Sequence, residues 1–252
     1  MTLSQHTPRQ TSEAEGTLVM VHLKVPDADR AMAFYEALLG WEAERVLVEG
    51  HVSHYTINTE ITVRVLDDPS VAPVVPNYAV SDVAQAVRSI PAAGGTVGSS
   101  EVAADGGGWA QGTDDQGLPL LVYRPGPAYP HREPTRRPTG QVGLVFITAD
   151  AVRAERFYGS VLGWHLERAH PTSNYFDAVP LVGVFDEAAA SGRVVAPSVR
   201  LYLAVAAIGP VVARIEELGG HAGPVAEDMG PYLSVVCTDD QGTEFGLISE
   251  HR

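Results

Sequence analysis

The hydrophobic pattern from residue 17 predicts a strand, then a helix, then three more strands. The first strand is TLVMVHLKV, which is rich in β-branched residues. The next segment predicts a helix with one apolar face, because apolar side chains recur at helical spacing at Ala31, Phe34, Tyr35 and Leu38. Short polar turns then separate three further segments that predict strands, WEAERVLVE, HVSHYTIN and EITVRVLD.

Both ends of this helix carry recognisable signals. Asp27 or Asp29 can cap the first turn by accepting a backbone N–H, and Gly40 can close the last turn in the left-handed conformation. The alternation along the strands suits a sheet that is covered by helices on one face only. The other face must then curl around something else or around a partner half.

Two motifs occur twice, in the same order. FYEALLGW at 34–41 returns as FYGSVLGW at 157–164, a shift of 123 residues, and DDQG at 114–117 returns at 239–242, a shift of 125 residues. Nearly equal shifts indicate a duplicated domain. The intervening PGPAYPHREPTRRPTG has five prolines in sixteen residues, so it predicts a stiff linker.

A weaker repeat divides each copy into halves. HLKVPDADRAMAFYEALLG, from His22, aligns with NYAVSDVAQAVRSIPAAGG, from Asn77, and the second copy has LAVAAIGPVVARIEELGG, from Leu203. The chain therefore contains four half-domains, each predicted as βαβββ. The predicted boundaries are a disordered tail (1–16), a first domain (17–125), a proline-rich linker (126–140) and a second domain (141–252).

The composition limits the cellular compartment and the classes of binding partner that we expect. The formal net charge of −14 would repel nucleic acid, so we expect no such partner. No apolar run reaches the roughly 18–20 residues that cross a bilayer, and the first residues do not read as a signal peptide. Cys237 is the only cysteine, which favours a reducing compartment. We expect a cytoplasmic protein with no membrane contact, either a monomer or a homodimer.

The paired βαβββ halves, with FY…LGW ending the first helix and D-x-x-G before the last strand, resemble the vicinal oxygen chelate superfamily. This superfamily includes glyoxalase, bleomycin-resistance protein and extradiol dioxygenase, and the resemblance covers residues 17–125 and 141–249. It implies an α+β fold of two tandem domains. Each domain would be a U-shaped, eight-stranded mixed sheet around a central pocket, with helices on the outer face.

The resemblance also implies where a metal would bind, namely on the first and last strand of each half. In the first domain these positions hold His22, Asn77, Leu121 and either Thr62 or Arg64. One imidazole and one amide are too few donors for a divalent ion.

In the second domain the same positions hold Val145, a site near Val184, Tyr202 and Gly246, with Glu244 two residues before the last of these. We therefore predict no metal ligands and no cofactor. An offset of one or two residues in the last strands would change this count.

Strand alternation predicts the lining of a pocket, because successive side chains point to opposite faces. If His22 and Leu121 face inward, so do Met20, Asn77, Tyr123 and either Arg64 or Thr62. Trp109, in the glycine-rich stretch DGGGWAQGT, is a candidate aromatic wall of the pocket, and Tyr202, Tyr232 and either Tyr175 or Phe176 are candidates in the second domain. Aromatic walls with a few polar groups are typical of small-molecule pockets.

Other notable residues favour structural roles. Trp41 and Trp164 follow the helix-ending glycine in both copies, which indicates packing. Cys237 lies in an apolar strand and predicts a buried core position. The four acidic residues of the two DDQG motifs predict turns, because Asp accepts hydrogen bonds from its own downstream backbone.

Three functions remain open from the sequence. The first is a metal-independent protein that binds a hydrophobic or aromatic metabolite or antibiotic. The alternative is an enzyme of the glyoxalase type, a lyase, isomerase, hydroxylase or dioxygenase, with His22 as metal ligand or general base. In the third, one copy has lost its pocket and serves as a docking partner, and the second domain is the candidate because of Val145 and Gly246.

Overall fold

The structure is a computed structural model, which describes residues 15–48, 51–59, 61–68, 73–127, 142–193, 196–229 and 232–250. The predicted tail and linker lie mostly outside these ranges. Glu15 and Gly16, at the end of the predicted tail, are held by hydrogen bonds from Ser81 N to Glu15 Oε2 and from Gly16 N to Ala79 O. No helix in the described ranges is both long and apolar enough to cross a membrane.

The first domain is a single eight-stranded sheet with strand order β2-β3-β4-β1-β5-β8-β7-β6. Two βαβββ halves meet where β1 pairs antiparallel with β5. Its elements are β1 (Leu18–Val25), α1 (Ala28–Leu39), β2 (Ala43–Val48), β3 (His51–Asn58), β4 (Thr62–Asp67), β5 (Val74–Ala79), α2 (Val83–Ala92), β6 (Thr96–Val102), β7 (Gly108–Thr113) and β8 (Pro119–Arg124).

The second domain repeats this order as β10-β11-β12-β9-β13-β17-β16-β14, with β15 as a ninth strand. Both β14 and β15 pair with β16, so together they take the place of β6. Its elements are β9 (Val142–Thr148), α3 (Ala151–Leu162), β10 (Glu167–Arg168), β11 (Tyr175–Val179), β12 (Val182–Phe185), α4 (Glu187–Ser191), β13 (Ser198–Ala204), α5 (Ile208–Glu217), β14 (His221–Ala222), β15 (Ala226–Met229), β16 (Tyr232–Thr238) and β17 (Glu244–Glu250).

The ends of α1 follow the predicted signals. Asp27, rather than Asp29, is the N-cap and accepts a hydrogen bond from Arg30 N at 2.9 Å. Gly40 closes the helix in the left-handed conformation, with φ of 69°. The tandem α+β fold is confirmed, and within the described residues the second sheet departs from the predicted eight strands by one additional edge strand.

One hydrophobic core runs through both domains. It joins side chains of α1 and α2 and the sheet face beneath them to the corresponding residues of α3 and the second sheet. Across the domain boundary α1 packs against α5, and α2 packs against α3. Trp41 and Trp164 are buried in this core, as predicted, and so is Cys237.

The two repeated motifs meet across the domain boundary. The Tyr158 hydroxyl, from the second FY motif, donates to Asp114 Oδ2 of the first DDQG turn at 3.2 Å. Reciprocally, Tyr35 of the first FY motif lies beside Asp239, and burial together with that carboxylate raises the pKa of its hydroxyl. The Trp164 indole adds a hydrogen bond to the Gly16 carbonyl at 2.8 Å.

Ion pairs repeat the same reciprocity at the surface. Arg30 Nε lies 2.5 Å from Asp240 Oδ2, and Arg153 Nε lies 3.0 Å from Asp115 Oδ2. Within each turn the first aspartate accepts the backbone N–H bonds predicted for it, such as Leu118 N to Asp114 Oδ1 at 2.8 Å. The DDQG motif is therefore both a turn and an inter-domain contact.

Candidate functional site

The face of the first sheet that points away from the helices, called here the open face, carries the predicted pocket residues. In β1, Val21 and Leu23 belong to the core, so Met20 and His22 point to the open face. Met20 pairs with Thr62, and His22 pairs with Arg64 on the neighbouring strand β4. Thr62 and Arg64 are therefore both on this face, and Arg64 is the direct neighbour of His22.

The second half of the domain completes this face. Asn77 of β5 pairs with Leu121 of β8, so these two predicted positions are direct neighbours on the same face. Two residues further along, Tyr123 pairs with Trp109 of β7. The structure thus places His22, Arg64, Asn77, Tyr123 and Trp109 on one face of one sheet. Their role in binding remains a prediction.

His22 is the most unusual group on this face. Its Nε2 atom is inaccessible to solvent and has no hydrogen-bond partner among the described residues. Burial, and then the positive charges of Arg64, His54 and Lys24, lower the pKa of its imidazole to about 3. The ring is therefore neutral at physiological pH, with one polar atom unsatisfied.

Lys24 and His54 were not selected from the sequence. Lys24 follows His22 by two residues in the same strand, so the alternation that placed His22 inward also places Lys24 there. His54 lies in β3 next to the core residue Tyr55, and no local pattern along the chain connects it with His22. Both contribute to the lowered pKa of His22.

The Asn77 side chain is buried and hydrogen-bonded within its own strand. It is 3% exposed, and its Nδ2 donates to the Val75 carbonyl at 3.0 Å. Beside it, a small apolar cluster joins Val19, Met20 and Ala79 to the ring of Tyr123. The open face therefore has a polar end at His22 and an apolar end at Tyr123.

The open face of the second domain is covered by its own tyrosines. A Cβ atom on Gly246 would stand 2.3 Å from the Tyr202 ring, and one on Gly183 would stand 2.4 Å from the Tyr175 ring. Both rings belong to an apolar cluster with Ile248. Each tyrosine thus occupies the space that a side chain on its paired strand would need.

The register of this domain corrects two positions. Val182 pairs with Val145, and Val182 lies in the core, so in the register of the sheet Val145 is not the counterpart of His22. Val184 is a core residue too, and Gly183 is the open-face position. The residue aligned with His22 is Phe146, because it pairs with Gly183 as His22 pairs with Arg64.

The remaining candidate site residues of the second domain lie in different environments. Tyr175 is on the open face, whereas Phe176 packs against the core, which resolves the predicted alternative. Tyr232 stands at the start of β16 and is 39% exposed. Glu244 accepts from Arg200 Nε at 2.6 Å, so its carboxylate has a cationic partner within the domain.

A cleft of about 650 Å³ opens between the two domains. It lies at the end of the sheets where β8 and β17 begin, and strand-by-strand reasoning did not anticipate it. Its wall is contributed by both domains: Lys24, Pro26, Asp68, Pro73, Val74, Gly117, Leu118, Pro119, Pro197, Ser198, Val199, Gln241, Gly242, Thr243 and Glu244. Lys24 belongs both to this wall and to the open face of His22.

Comparison with known proteins places this geometry in context. Residues 143–248 match the family model of the glyoxalase-like domain. No curated protein matches the chain. Among solved structures, a catechol 2,3-dioxygenase has a TM-score of 0.60 at 14% identity, over 95% of this chain and 90% of that one. A Mn(II)-bound glyoxalase from Novosphingobium aromaticivorans has a TM-score of 0.60 at 16% identity, over 95% and 84%. A 2,2',3-trihydroxybiphenyl 1,2-dioxygenase from dibenzofuran-degrading Sphingomonas wittichii has a TM-score of 0.59 at 17% identity, over 94% and 91%.

The comparison overturns the prediction of no cofactor. A structure that matches this fold along nearly the whole chain is a Mn(II)-bound glyoxalase, so a divalent metal belongs among the cofactors of the fold.

The donors that this chain presents do not match such an ion. The four open-face positions of the first domain hold an imidazole, a guanidinium, an amide and a hydrocarbon, at His22, Arg64, Asn77 and Leu121. Within the described ranges, no three His, Cys, Asp or Glu side chains are grouped so as to hold a metal ion. Mn(II) prefers several oxygen and imidazole ligands, and a guanidinium beside the imidazole would repel it.

Two sheets in the order found here, each built from paired βαβββ halves, match glyoxalase and dioxygenase structures over nearly the whole chain. The second domain also matches the glyoxalase-like family model. Residues 143–248 thus match the glyoxalase-like family, and the whole chain has the fold of glyoxalase and dioxygenase structures, which is consistent with the predicted resemblance to the vicinal oxygen chelate superfamily.

Proposed function

We propose that the first domain binds a small hydrophobic or aromatic molecule, a metabolite or an antibiotic, on its open face. The observation that carries this proposal is the pairing of Trp109 with Tyr123 on the same face as His22 and Arg64. Trp109, Tyr123, His22 and Arg64 are all partly accessible, so a ligand can reach them. A pocket with aromatic walls and a few polar groups is the usual form of a small-molecule site.

The second domain supports this function as a docking partner. Tyr202 and Tyr175 fill the open face beside Gly246 and Gly183, whereas the motifs on its helix side hold the first domain. We therefore expect one ligand per chain.

A thermal-shift screen against planar polyaromatic antibiotics tests the binding proposal. A ligand at 100 times its dissociation constant adds about 2.7 kcal/mol to the free energy of unfolding. The stabilisation should be lost in Trp109→Ala and kept in Tyr232→Ala, a matched aromatic deletion on the second domain. A flat response across the panel, or equal loss in both variants, would count against binding at Trp109.

A second candidate is an enzyme of the glyoxalase or dioxygenase type. The similarity to a glyoxalase and to two dioxygenases favours it, together with the unsatisfied Nε2 of His22. A neutral imidazole can accept a proton, but a pKa of about 3 makes it a weak base at pH 7. An anionic substrate would raise that pKa and make the transfer easier.

Metal analysis and a substitution separate the two candidates. Near-stoichiometric Mn, Fe, Ni or Zn that survives dialysis supports the enzyme. For any turnover then found, His22→Ala should reduce kcat strongly, whereas the exposed His221→Ala should leave it unchanged. Turnover that survives His22→Ala would exclude His22 as base or ligand.

A further inference from the structure

The cleft between the domains is lined by equivalent positions of the two copies. The pairing of Asn77 with Leu121 in the first sheet recurs as Tyr202 with Gly246 in the second, a shift of 125 residues. Under this shift, three wall positions of the first domain match three of the second: Pro73 and Ser198, Leu118 and Thr243, and Pro119 and Glu244. The first domain therefore supplies an apolar wall at these positions, and the second domain a polar one.

The backbone of this wall is rigid. Four prolines, each with a φ angle fixed by its ring, line the cleft: Pro26, Pro73, Pro119 and Pro197. Gly117 and Gly242, also in the wall, each have a φ of 85° in the two DDQG turns. A wall that is already formed loses little conformational entropy when a ligand binds. The volume of about 650 Å³ is within the range of small-molecule sites, which occur preferentially between domains.

The charged side chains of the wall lie in ion pairs. Lys24 Nζ is 2.8 Å from Asp68 Oδ2, and Glu244 Oε1 accepts from Arg200 Nε at 2.6 Å. A charged ligand would have to displace one of these pairs or remain unpaired in a partly desolvated site, and both cost free energy. The cleft therefore favours a neutral ligand.

The two walls suit different parts of such a ligand. On the polar side, Ser198 and Gln241 are half-buried; the serine hydroxyl can donate and accept, and the glutamine, whose Nε2 donates to the Asp27 carbonyl at 3.0 Å, has an amide oxygen that accepts. A hydroxyl group is the ligand group that matches both. On the apolar side, proline rings pack well against aromatic rings, as in the recognition of proline-rich segments.

We propose that the inter-domain cleft is a second binding site, which takes a neutral aromatic molecule with a hydroxyl group. The aromatic ring lies against Pro73 and Pro119 of the first domain. The hydroxyl group makes its hydrogen bonds with Ser198 and Gln241 of the second domain. Both domains thus hold one ligand, each through the side chains in which it differs from its copy.

The cleft lies apart from the aromatic end of the open face. Pro119 begins β8 and Tyr123 follows four residues later, which in a strand is about 13 Å. Trp109, the partner of Tyr123, does not belong to the cleft wall. Two sets of resonances therefore report on the two sites separately: the backbone amides of Gly117 and Gly242 for the cleft, and the Trp109 indole N–H for the open face.

A nuclear magnetic resonance titration with 2-naphthol and 2-naphthoate tests the inference. At pH 7 the first probe is neutral and carries a hydroxyl group, and the second is an anion on the same ring system. We expect 2-naphthol to shift the amide resonances of Gly117 and Gly242 until they saturate. 2-Naphthoate should need an about tenfold higher concentration for the same effect, because its charge is not paired in the cleft.

A pair of matched variants assigns the binding to the apolar wall. Pro119→Glu introduces a carboxylate there and should weaken 2-naphthol binding at least about tenfold. Glu244 shows that the equivalent position of the second domain accommodates this side chain. Val152→Glu, at an exposed position of α3 outside the wall, adds the same charge and should bind 2-naphthol as the wild type does.

The outcomes separate this site from the open face. A response at the Trp109 indole without one at the two glycines overturns the cleft site and leaves the proposed function standing. Unchanged 2-naphthol binding in Pro119→Glu also overturns it, and equal affinity for the two probes overturns the preference for a neutral ligand. If Pro119→Glu does not fold, the ring protons of 2-naphthol bound to the wild type should show nuclear Overhauser effects to Pro119 and Ser198. Their absence would contradict binding in the cleft.

Discussion

His22 makes the stability of the protein depend on pH in a way that can be calculated. Burial and its cationic neighbours lower the pKa of the folded imidazole to about 3, against 6.5 for an ordinary histidine. At pH values between these two pKa values, His22 is protonated in the unfolded chain and neutral in the folded chain. The free energy of unfolding therefore falls as pH drops below about 6.5, and the fall ends near pH 3.

The size of this effect follows from proton linkage. For these two pKa values, the loss between pH 7 and pH 5 is about 2 kcal/mol. The ring of His22 is partly accessible, so solvent screening reduces the figure, and we expect about 1–2 kcal/mol. Asp114 and Asp239 have raised pKa values, mainly through burial, and act in the opposite direction. A comparison of variants cancels their contribution.

Urea denaturation at pH 7 and pH 5 measures the difference directly. In His22→Asn the loss of unfolding free energy on acidification should be smaller than in the wild type by about 1–2 kcal/mol. His221→Gln, at the exposed edge strand β14, should retain the wild-type behaviour. If the wild type and His22→Asn lose the same free energy, or if the His22 resonances titrate near pH 6.5, the burial and charge argument for this pocket is refuted.

Two further predictions concern the inter-domain contact. Tyr158→Phe removes the hydroxyl that donates to Asp114, leaves a buried carboxylate oxygen without that bond, and should cost about 1–3 kcal/mol in urea denaturation. Gly95→Ala places a Cβ atom against the Thr113 carbonyl oxygen of its own domain and 2.8 Å from the Phe157 ring of the other domain, and thermal denaturation should show a loss of about 1–3 kcal/mol, whereas Gly98→Ala, whose nearest contact is 3.7 Å, should show a much smaller change. Equal melting temperatures for the two alanine variants would contradict the close packing around Gly95.

The fold, and the sheet face on which each strand residue lies, could be derived from the sequence because both follow from local rules. Strand alternation predicted that His22, Asn77 and Leu121 share one face with Thr62 or Arg64, and the pairings of β1 with β4 and of β5 with β8 agree with this arrangement. The error at Val145 also has a local cause. The N-cap Asp27 follows His22 by five residues, whereas the N-cap Asp150 follows Phe146, the residue at the aligned position, by four. Aligning the helices therefore shifts the strand by one residue and turns every side chain to the wrong face.

The inter-domain cleft and the charges around His22 could not be derived in this way. The cleft is lined by residues of both domains, such as Pro119 of β8 and Glu244 of β17, and the pattern of one strand holds no information about the strand of the other domain that it faces. The grouping of His54 with His22 depends on how β3 lies relative to β1, with β4 between them. These are properties of tertiary arrangement, and local patterns carry no information about them.

The two domains are alike on the helix side of their sheets and differ on the open face, and the contacts between the domains explain this difference. On the helix side, FY of one copy contacts DDQG of the other, so a change in either copy disturbs a contact that both domains share. The open faces carry no such reciprocal demand. One copy holds His22 beside Arg64, and the other places Gly183 at the aligned position and fills the space with Tyr175. The repeated motifs therefore mark how the halves of the chain hold each other, and the differences between the copies mark where a ligand is to be sought.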